Sequence, residues 1–231
     1  MADREMIAGG LCYMNVLVFA PHNDDETIGV GGTIAKLAKA GHRITVCEVT
    51  SGPPTPIAVK VVEEAKKAHA ILGVGESVFL ELPVVDLHLT PTREKNKPFI
   101  ELVKRVKPDI AFIPHHGDLH TDHGTTAGSA MVALRPMHAP QLKAIYAYET
   151  LSESEWNVPD GAHAFIPNTW CDITDTMDIK LKAMACYETQ LRPFPHPRSL
   201  EAIESQAKVR GSTVCVERAE AFIQIREMLS F

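Results

Sequence analysis

One imidazole and three carboxylates stand almost side by side at His22-Asn23-Asp24-Asp25-Glu26. Adjacent carboxylates repel and raise one another's pKa, so a solvated loop gains nothing from such crowding. A divalent cation reverses that balance, because it accepts His and carboxylate ligands together. A second dense group follows at Gly117-Asp118-Leu119-His120-Thr121-Asp122-His123. A catalytic zinc typically has three protein ligands and keeps one position open for water. The candidates are His22, Asp24, Asp25, Glu26, His115, His116, Asp118, His120, Asp122 and His123. One carboxylate must stay off the metal as general base, and a second imidazole suits the developing oxyanion. The residue types thus imply a mononuclear hydrolytic site of His/Asp/His composition, with a free carboxylate and a free His. They do not assign the roles.

Each group follows an apolar run, Val16–Phe19 for the first and Ile110–Pro114 for the second. Val16–Ala20, Arg43–Thr50, Val78–Leu82, Asp109–Pro114 and Ala144–Tyr148 read as strands, from their β-branched content and bounding turns. Helices are expected through about Ala40, over 57–72, over Phe99–Val106 and over Thr125–Leu134. Strands alternating with helices indicate an α/β protein with a parallel, doubly wound sheet. In such sheets ligands bind outside the carboxyl ends of the strands. Both dense groups fall there, as does the proline-rich loop Ser51–Pro56. The last third reads as mostly helical, with Lys180–Tyr187, Leu200–Val209 and Val216–Met228 as the expected helices. Gly29, Gly31 and Gly32 lie too far past the strand for a dinucleotide fingerprint, and close packing of a helix on the sheet explains them better.

The chain has 231 residues, 45% of them hydrophobic, enough for one sizeable core, so one domain over 1–231 is expected. A net charge of −6 gives no reason to expect nucleic acid or an anionic membrane as partner. No apolar stretch approaches the roughly 20 residues needed to span a bilayer. Asp3, Arg4 and Glu5 near the start do not resemble a signal peptide. The five cysteines, Cys12, Cys47, Cys171, Cys186 and Cys215, are widely spaced with no CxxC, which fits a reducing, cytoplasmic setting.

Pro21-His22-Asn23-Asp24-Asp25-Glu26 and His120-Thr121-Asp122-His123 resemble the two signatures of the LmbE/PIG-L family of zinc-dependent N-deacetylases, (A/P)HxDDE and HxDH. Further similar positions are Arg135-Pro136, Trp170–Thr174, Lys180, Tyr187–Gln190, Arg210-Gly211 and Ala219–Phe222, so the likeness runs along nearly the whole chain. The resemblance implies a Rossmann-like three-layer fold with a mostly parallel sheet. It implies one Zn2+ per subunit on His22, Asp25 and His123, with Asp24 as general base. His120 would donate a proton to, or stabilise, the tetrahedral intermediate, oriented by Asp122. It also implies a homo-oligomer, a trimer or hexamer. Asn23 replaces the usual proline of the first signature. Lys60-Val61-Val62 stands where many members carry a substrate-contacting Arg.

Glu26 is expected as a helix-start carboxylate, Asp118 as a brace for its loop, and His115 and His116 as loop residues. Arg192 and His196, in the stiff run Leu191–Arg198, are candidate substrate contacts. The expected reaction removes the acetyl group from an N-acetylated amino sugar, of the N-acetylglucosamine type, with release of acetate. The alternative is a metal-dependent amidase acting on a larger thiol-sugar or natural-product conjugate. A nucleotide-binding or sensor module with a structural metal would have no use for a spare acid beside an open site.

Overall fold

The computed structural model describes residues 13–51 and 55–229. Asp3, Arg4, Glu5, Cys12 and residues 52–54 of the proline-rich loop lie outside the described residues. The strands are β1 (Asn15–Ala20), β2 (Arg43–Thr50), β3 (Glu76–Leu82), β4 (Ile110–Pro114), β5 (Ala144–Tyr148), β6 (Thr169–Asp172) and β7 (Ala219–Glu227). The helices are α1 (Asp25–Lys39), α2 (Pro56–Leu72), α3 (Thr92–Val106), α4 (Thr121–Ala133), α5 (Met177–Met184) and α6 (Leu200–Ser212). One sheet takes the order β3-β2-β1-β4-β5-β7-β6. Its first five strands in that order pair in parallel, while β7 runs antiparallel to both β5 and β6.

Alternation along the strands divides the core into two layers. Val16 and Val18 of β1, with Ile44 and Val46 of β2, pack under α1, α2, α5 and α6. Leu17, Phe19, Cys47 and Val49 face the other way, onto α3 and α4. Both faces are covered, which is why these strands read as continuous apolar runs. The strand order reverses direction between β1 and β4, and that switch point is where such a sheet opens a ligand crevice.

The expected helix over Val216–Met228 is instead β7. Its Ala, Glu and Arg residues favour helix locally, but Ile223 and Ile225 alternate with Gln224 and Arg226, and a partner lies on each side. The C-terminal part is therefore mixed: α5 and α6 are helical, while β6 and β7 complete the sheet. Helix α3 begins earlier than expected, at Thr92, and carries Pro98 within it. Helix α4 also begins earlier, at Thr121, so Asp122 and His123 lie in its first turn.

Two features lock α1, the helix that starts at Asp25. A Cβ on Gly29 would collide with the Tyr148 ring, and one on Gly32 would lie 2.7 Å from Ile173. Only glycine admits that approach, as packing on the sheet requires. Lys180 and Glu220 are then spliced into the helix. The Lys180 ammonium donates to the Ile28 carbonyl (2.7 Å) and to Glu220 Oε1 (2.6 Å). The Glu220 carboxylate accepts the Gly32 and Thr33 backbone N–H groups, both at 2.8 Å. The last strand thus holds the helix that leads out of the site.

Candidate metal and hydrolytic site

His22 follows β1 and Asp25 opens α1, while His123 sits in the first turn of α4, beyond β4. His22 Nδ1 lies 3.3 Å from Asp25 Oδ2, and His123 Nε2 lies 3.2 Å from the same oxygen. Neighbouring ligand atoms of a tetrahedral ion with bonds of about 2.0 Å are about 3.3 Å apart. Asp25 Oδ1 and His123 Nε2 are buried and lack hydrogen-bond partners. The orphaned His123 Nε2 at ligand spacing, beside a carboxylate with one oxygen unpartnered, fits a metal ion, and these three residues can hold one.

The other ring nitrogens of both histidines are held by carboxylates. His22 Nε2 meets Asp122 Oδ2 at 3.1 Å, and His123 Nδ1 meets Asp118 Oδ2 at 2.8 Å. Such outer partners fix the ring orientation and tautomer of a ligating His. Asp118 therefore does more than brace its loop. Asp122 also accepts the Val85 backbone N–H (2.7 Å), so its carboxylate serves His22 rather than His120. Its reach to His120 Nδ1 is 3.8 Å, too long for a hydrogen bond. The Asp122 backbone N–H instead donates to His120 Nδ1 at 3.1 Å, making His120 the N-cap of α4. That bond fixes the His120 tautomer: Nδ1 accepts, so the proton of the neutral ring sits on Nε2.

His22, His120 and Asp122 form a second group at ligand spacing, and Glu26, Glu48 and His69 a third. In the former, Asp122 Oδ2 is already doubly engaged. In the latter, Glu26 accepts from Tyr187 Oη (2.6 Å), from Thr27 Oγ1 and from the Asp24 backbone N–H (3.2 Å). Glu26 is thus a buried anchor behind the site. His69 Nε2 lies 3.1 Å from Glu48 and 3.4 Å from Glu26. Burial alone would lower the His69 pKa, but the two carboxylates outweigh it and raise it to about 10.

Asp24 stands apart from the ligand set. It is 1% exposed yet lines a cavity of about 430 Å³ with His22, His120, Glu153, Gln190 and Arg198. Its backbone takes φ 151°, an unfavourable conformation for a residue with a side chain, at the junction of β1 and α1. Burial pushes its pKa up and the Arg198 guanidinium, 3.4 Å away, pulls it back, leaving about 7. Asp25 is also pushed up by burial, but His123 and His22 outweigh that and hold it well below the usual carboxylate range. The pKa values of two adjacent aspartates are thereby driven apart by their neighbours. Burial, then the nearby His22, lower the His120 pKa, which favours its neutral ring. The His22 and His120 rings meet edge to face with centroids 4.5 Å apart.

Arg192 and His196 do not line this cavity. Arg192 turns back onto the Thr189 and Leu191 carbonyls, and His196 Nδ1 accepts the Arg198 backbone N–H at 3.0 Å. That turn projects Arg198, which sequence reasoning missed, into the cavity. Arg198 is pinned by Ser152 (2.8 Å), Gln190 (3.2 Å) and Glu153 (3.4 Å). Glu153 also accepts the His120 backbone N–H at 3.1 Å. The run Leu191–Arg198 reaches the cavity through Arg198 alone, and which of its polar side chains faces inward depends on a turn that no periodicity reports. His115 bonds the His163 carbonyl and takes no part in the ligand set.

An open α/β sheet with a His/Asp/His set and a separate buried carboxylate at its switch point defines a metal-assisted hydrolase type of site. The chain belongs to the PIG-L family: the model described as GlcNAc-PI de-N-acetylase matches residues 17–134. That span includes both dense groups and stops short of Arg198 and Glu220. A diacetylchitobiose deacetylase of Thermococcus kodakarensis is 28% identical over 189 residues, covering 76% of this chain and 69% of that protein. The conserved protein TT1542 of Thermus thermophilus superposes with a TM-score of 0.76 at 25% identity, over 94% of this chain and 97% of its own. GalB of Pseudomonas putida, a 4-carboxy-2-hydroxymuconate hydratase, shares the fold at the same TM-score of 0.76 with 21% identity, over 94% of this chain and 99% of its own. The fold therefore hosts more than one chemistry, and the site must carry the functional argument. Among the described residues, no helix is long and apolar enough to cross a membrane.

Proposed function

We propose that this protein is a zinc-dependent hydrolase that removes the N-acetyl group from an N-acetylated amino sugar, releasing acetate and the free amine. The observation that carries this reading is the buried Asp24 carboxylate, free of the ligand set yet facing the same cavity as His22 and His120. The diacetylchitobiose deacetylase relative supports the substrate class.

His22, Asp25 and His123 hold the metal, while Asp122 and Asp118 fix the two imidazoles. What zinc supplies when bound is Lewis acidity toward the amide carbonyl and a lower pKa for the attacking water. Asp24 accepts the proton of that water as it adds to the carbonyl carbon. The Nε2–H of His120 donates to the oxygen on which negative charge develops. Asp24, now protonated, is the carrier that returns the proton to the departing nitrogen as the C–N bond breaks. Arg198 keeps Asp24 oriented and favours its ionised form. The family resemblance supports a homo-oligomer, and the widely spaced cysteines support a cytoplasmic location.

The test is acetate release from N-acetylglucosamine, diacetylchitobiose and a nucleotide-linked N-acetyl sugar, before chelation, after it and after zinc restoration. Chelator-sensitive release that zinc restores is the expected result. No release from any of the three, with zinc confirmed bound, would overturn the reading.

A further inference from the structure

Behind the site lies a buried group of charges that the chemistry proposed above does not use. Glu26 of α1, Glu48 of β2 and His69 of α2 are 0%, 1% and 2% exposed. Glu48 and His69 both break the pattern of their elements. Glu48 continues the Ile44–Val46 alternation on the strand face that packs under α1 and α2. His69 lies in the buried stripe of α2 with Ala65, Ala68 and Leu72. Apolar side chains would fill both positions, whereas a buried charge is costly unless it is paired. Proteins break local rules of this kind mainly where a functional site requires it.

His69 joins the two carboxylates. Its Nδ1 is held by Ser77 Oγ on β3 at 2.7 Å, which turns Nε2 between Glu48 Oε1 (3.1 Å) and Glu26 Oε1 (3.4 Å). Apart from that ion pair, neither oxygen of Glu48 has a hydrogen-bond partner among the described residues. Glu26 carries the contact forward. Its Oε1 is met by Thr27 Oγ1 from the same turn and by Tyr187 Oη at 2.6 Å, so His69 and Tyr187 tie this carboxylate to other elements. Its Oε2 accepts the Asp24 backbone N–H at 3.2 Å, a bond shared with the His22 carbonyl at 3.1 Å. Rotation about φ turns the rest of Asp24 against that N–H. A fixed acceptor there helps hold the φ of 151° that brings the carboxylate to Arg198 and the cavity.

We propose that His69 is a positioning residue for Asp24: from α2 it fixes the Glu26 carboxylate, which holds the Asp24 backbone, while Glu48 keeps His69 in place. The inference rests on the hydrolysis proposed above, with Asp24 as the base. His69 lines no part of the cavity and pairs with none of His22, Asp25 and His123. Its loss therefore displaces the base while the metal stays bound and the substrate contacts stay in place.

The experiment measures kcat, KM and metal content of the zinc-loaded protein on whichever of the three N-acetyl sugars above it turns over best. In His69→Asn the shorter amide keeps the Ser77 bond and withdraws from the two carboxylates. In His69→Gln an N–H group stands close to where Nε2 stood. His69→Asn is expected to keep its metal, change KM less than about threefold and lose about 10- to 100-fold in kcat, the effect of misplacing a catalytic group by about 1 Å. His69→Gln should stay within about threefold of the wild-type kcat, because it restores the donor. On an Asp24→Asn background, His69→Asn should change the residual rate less than about threefold. A fall on that background as large as on the wild type overturns the inference, because the effect then does not pass through Asp24. A wild-type kcat in His69→Asn, a loss of its metal, or a His69→Gln as slow as His69→Asn overturns it too. If His69→Asn does not fold, His69→Leu/Glu48→Met takes its place: apolar groups at both positions strand no charge, and the same fall in kcat is expected. No turnover by the wild type with zinc bound removes the deacetylase reading and this inference with it.

Discussion

Replacing Lys180 with Met should cost about 3–5 kcal/mol of stability, the range for removing one partner of a buried ion pair. Lys180 and Glu220 are 4% and 3% exposed, and their 2.6 Å contact is the cationic link between the last strand and α1. Met retains most of the apolar stem, so the loss is electrostatic. Glu220 keeps only the Gly32 and Thr33 N–H groups against its charge, and the Ile28 carbonyl loses the ammonium that satisfied it. A domain of this size has about 5–15 kcal/mol in total, so the variant would sit near the threshold of folding. Urea unfolding of the wild type, Lys180→Met, Glu220→Gln and the double variant gives both the loss and the coupling. The midpoint should fall with little change in slope, and the double variant should lose less than the sum of the singles by at least about 1 kcal/mol. A loss below about 1 kcal/mol for Lys180→Met, at unchanged slope, would refute the account of α1 as a helix held by this pair.

Further expectations concern the site. Asp24→Asn should retain one metal ion per chain and lose about 10²–10⁴ in kcat, whereas His22→Ala should lose the metal itself; metal content by mass spectrometry, read beside turnover, separates them. If Asp24→Asn also lost the metal, the division between the two aspartates would be reversed. Arg198→Met should move the acid limb of kcat/KM to higher pH by about one to three units. The sign follows from the base being active when ionised: burial raises the Asp24 pKa to about 7 against the pull of Arg198, and removing that cation raises it further. An unmoved limb would show that Arg198 does not act through Asp24. Asp118→Ala should weaken metal binding about 10–100-fold in a chelator competition, because the His123 ring loses the partner that fixes it.

The parallel strands β1, β2, β4 and β5 were legible because both faces of each are largely buried, which leaves apolar runs bounded by turns; β3, the half-buried edge strand, was legible from its run Val78–Leu82. That the two dense polar groups meet in one place was legible for a different reason: His22, Asp24 and Asp25 are close in sequence, His120 to His123 span one helical turn, and each group follows a strand of the same sheet. What sequence hid was set by contacts between distant segments. Residues 219–227 carry helix-favouring residues, yet β5 and β6 offer them two unpaired edges. Asp122 adjoins His120 along the chain, yet its carboxylate turns to His22, a hundred residues away, and its backbone N–H holds His120. Arg198 could not be told from Arg192 because a His196-capped turn decides which of them points inward.

The conformation of Asp24 has a bearing on how this protein could be improved or spoiled. A side chain held at φ 151° costs about 1–3 kcal/mol, and glycine, with no Cβ, would carry less of that penalty. Asp24→Gly would relieve this strain at the expense of the Arg198 contact, and on the proposed mechanism it would also remove the general base. On that mechanism, a search for hardier variants that scores survival of heat alone would be blind to the loss of turnover at this position. On that mechanism the strain belongs to the catalyst, and only a screen for turnover can keep it.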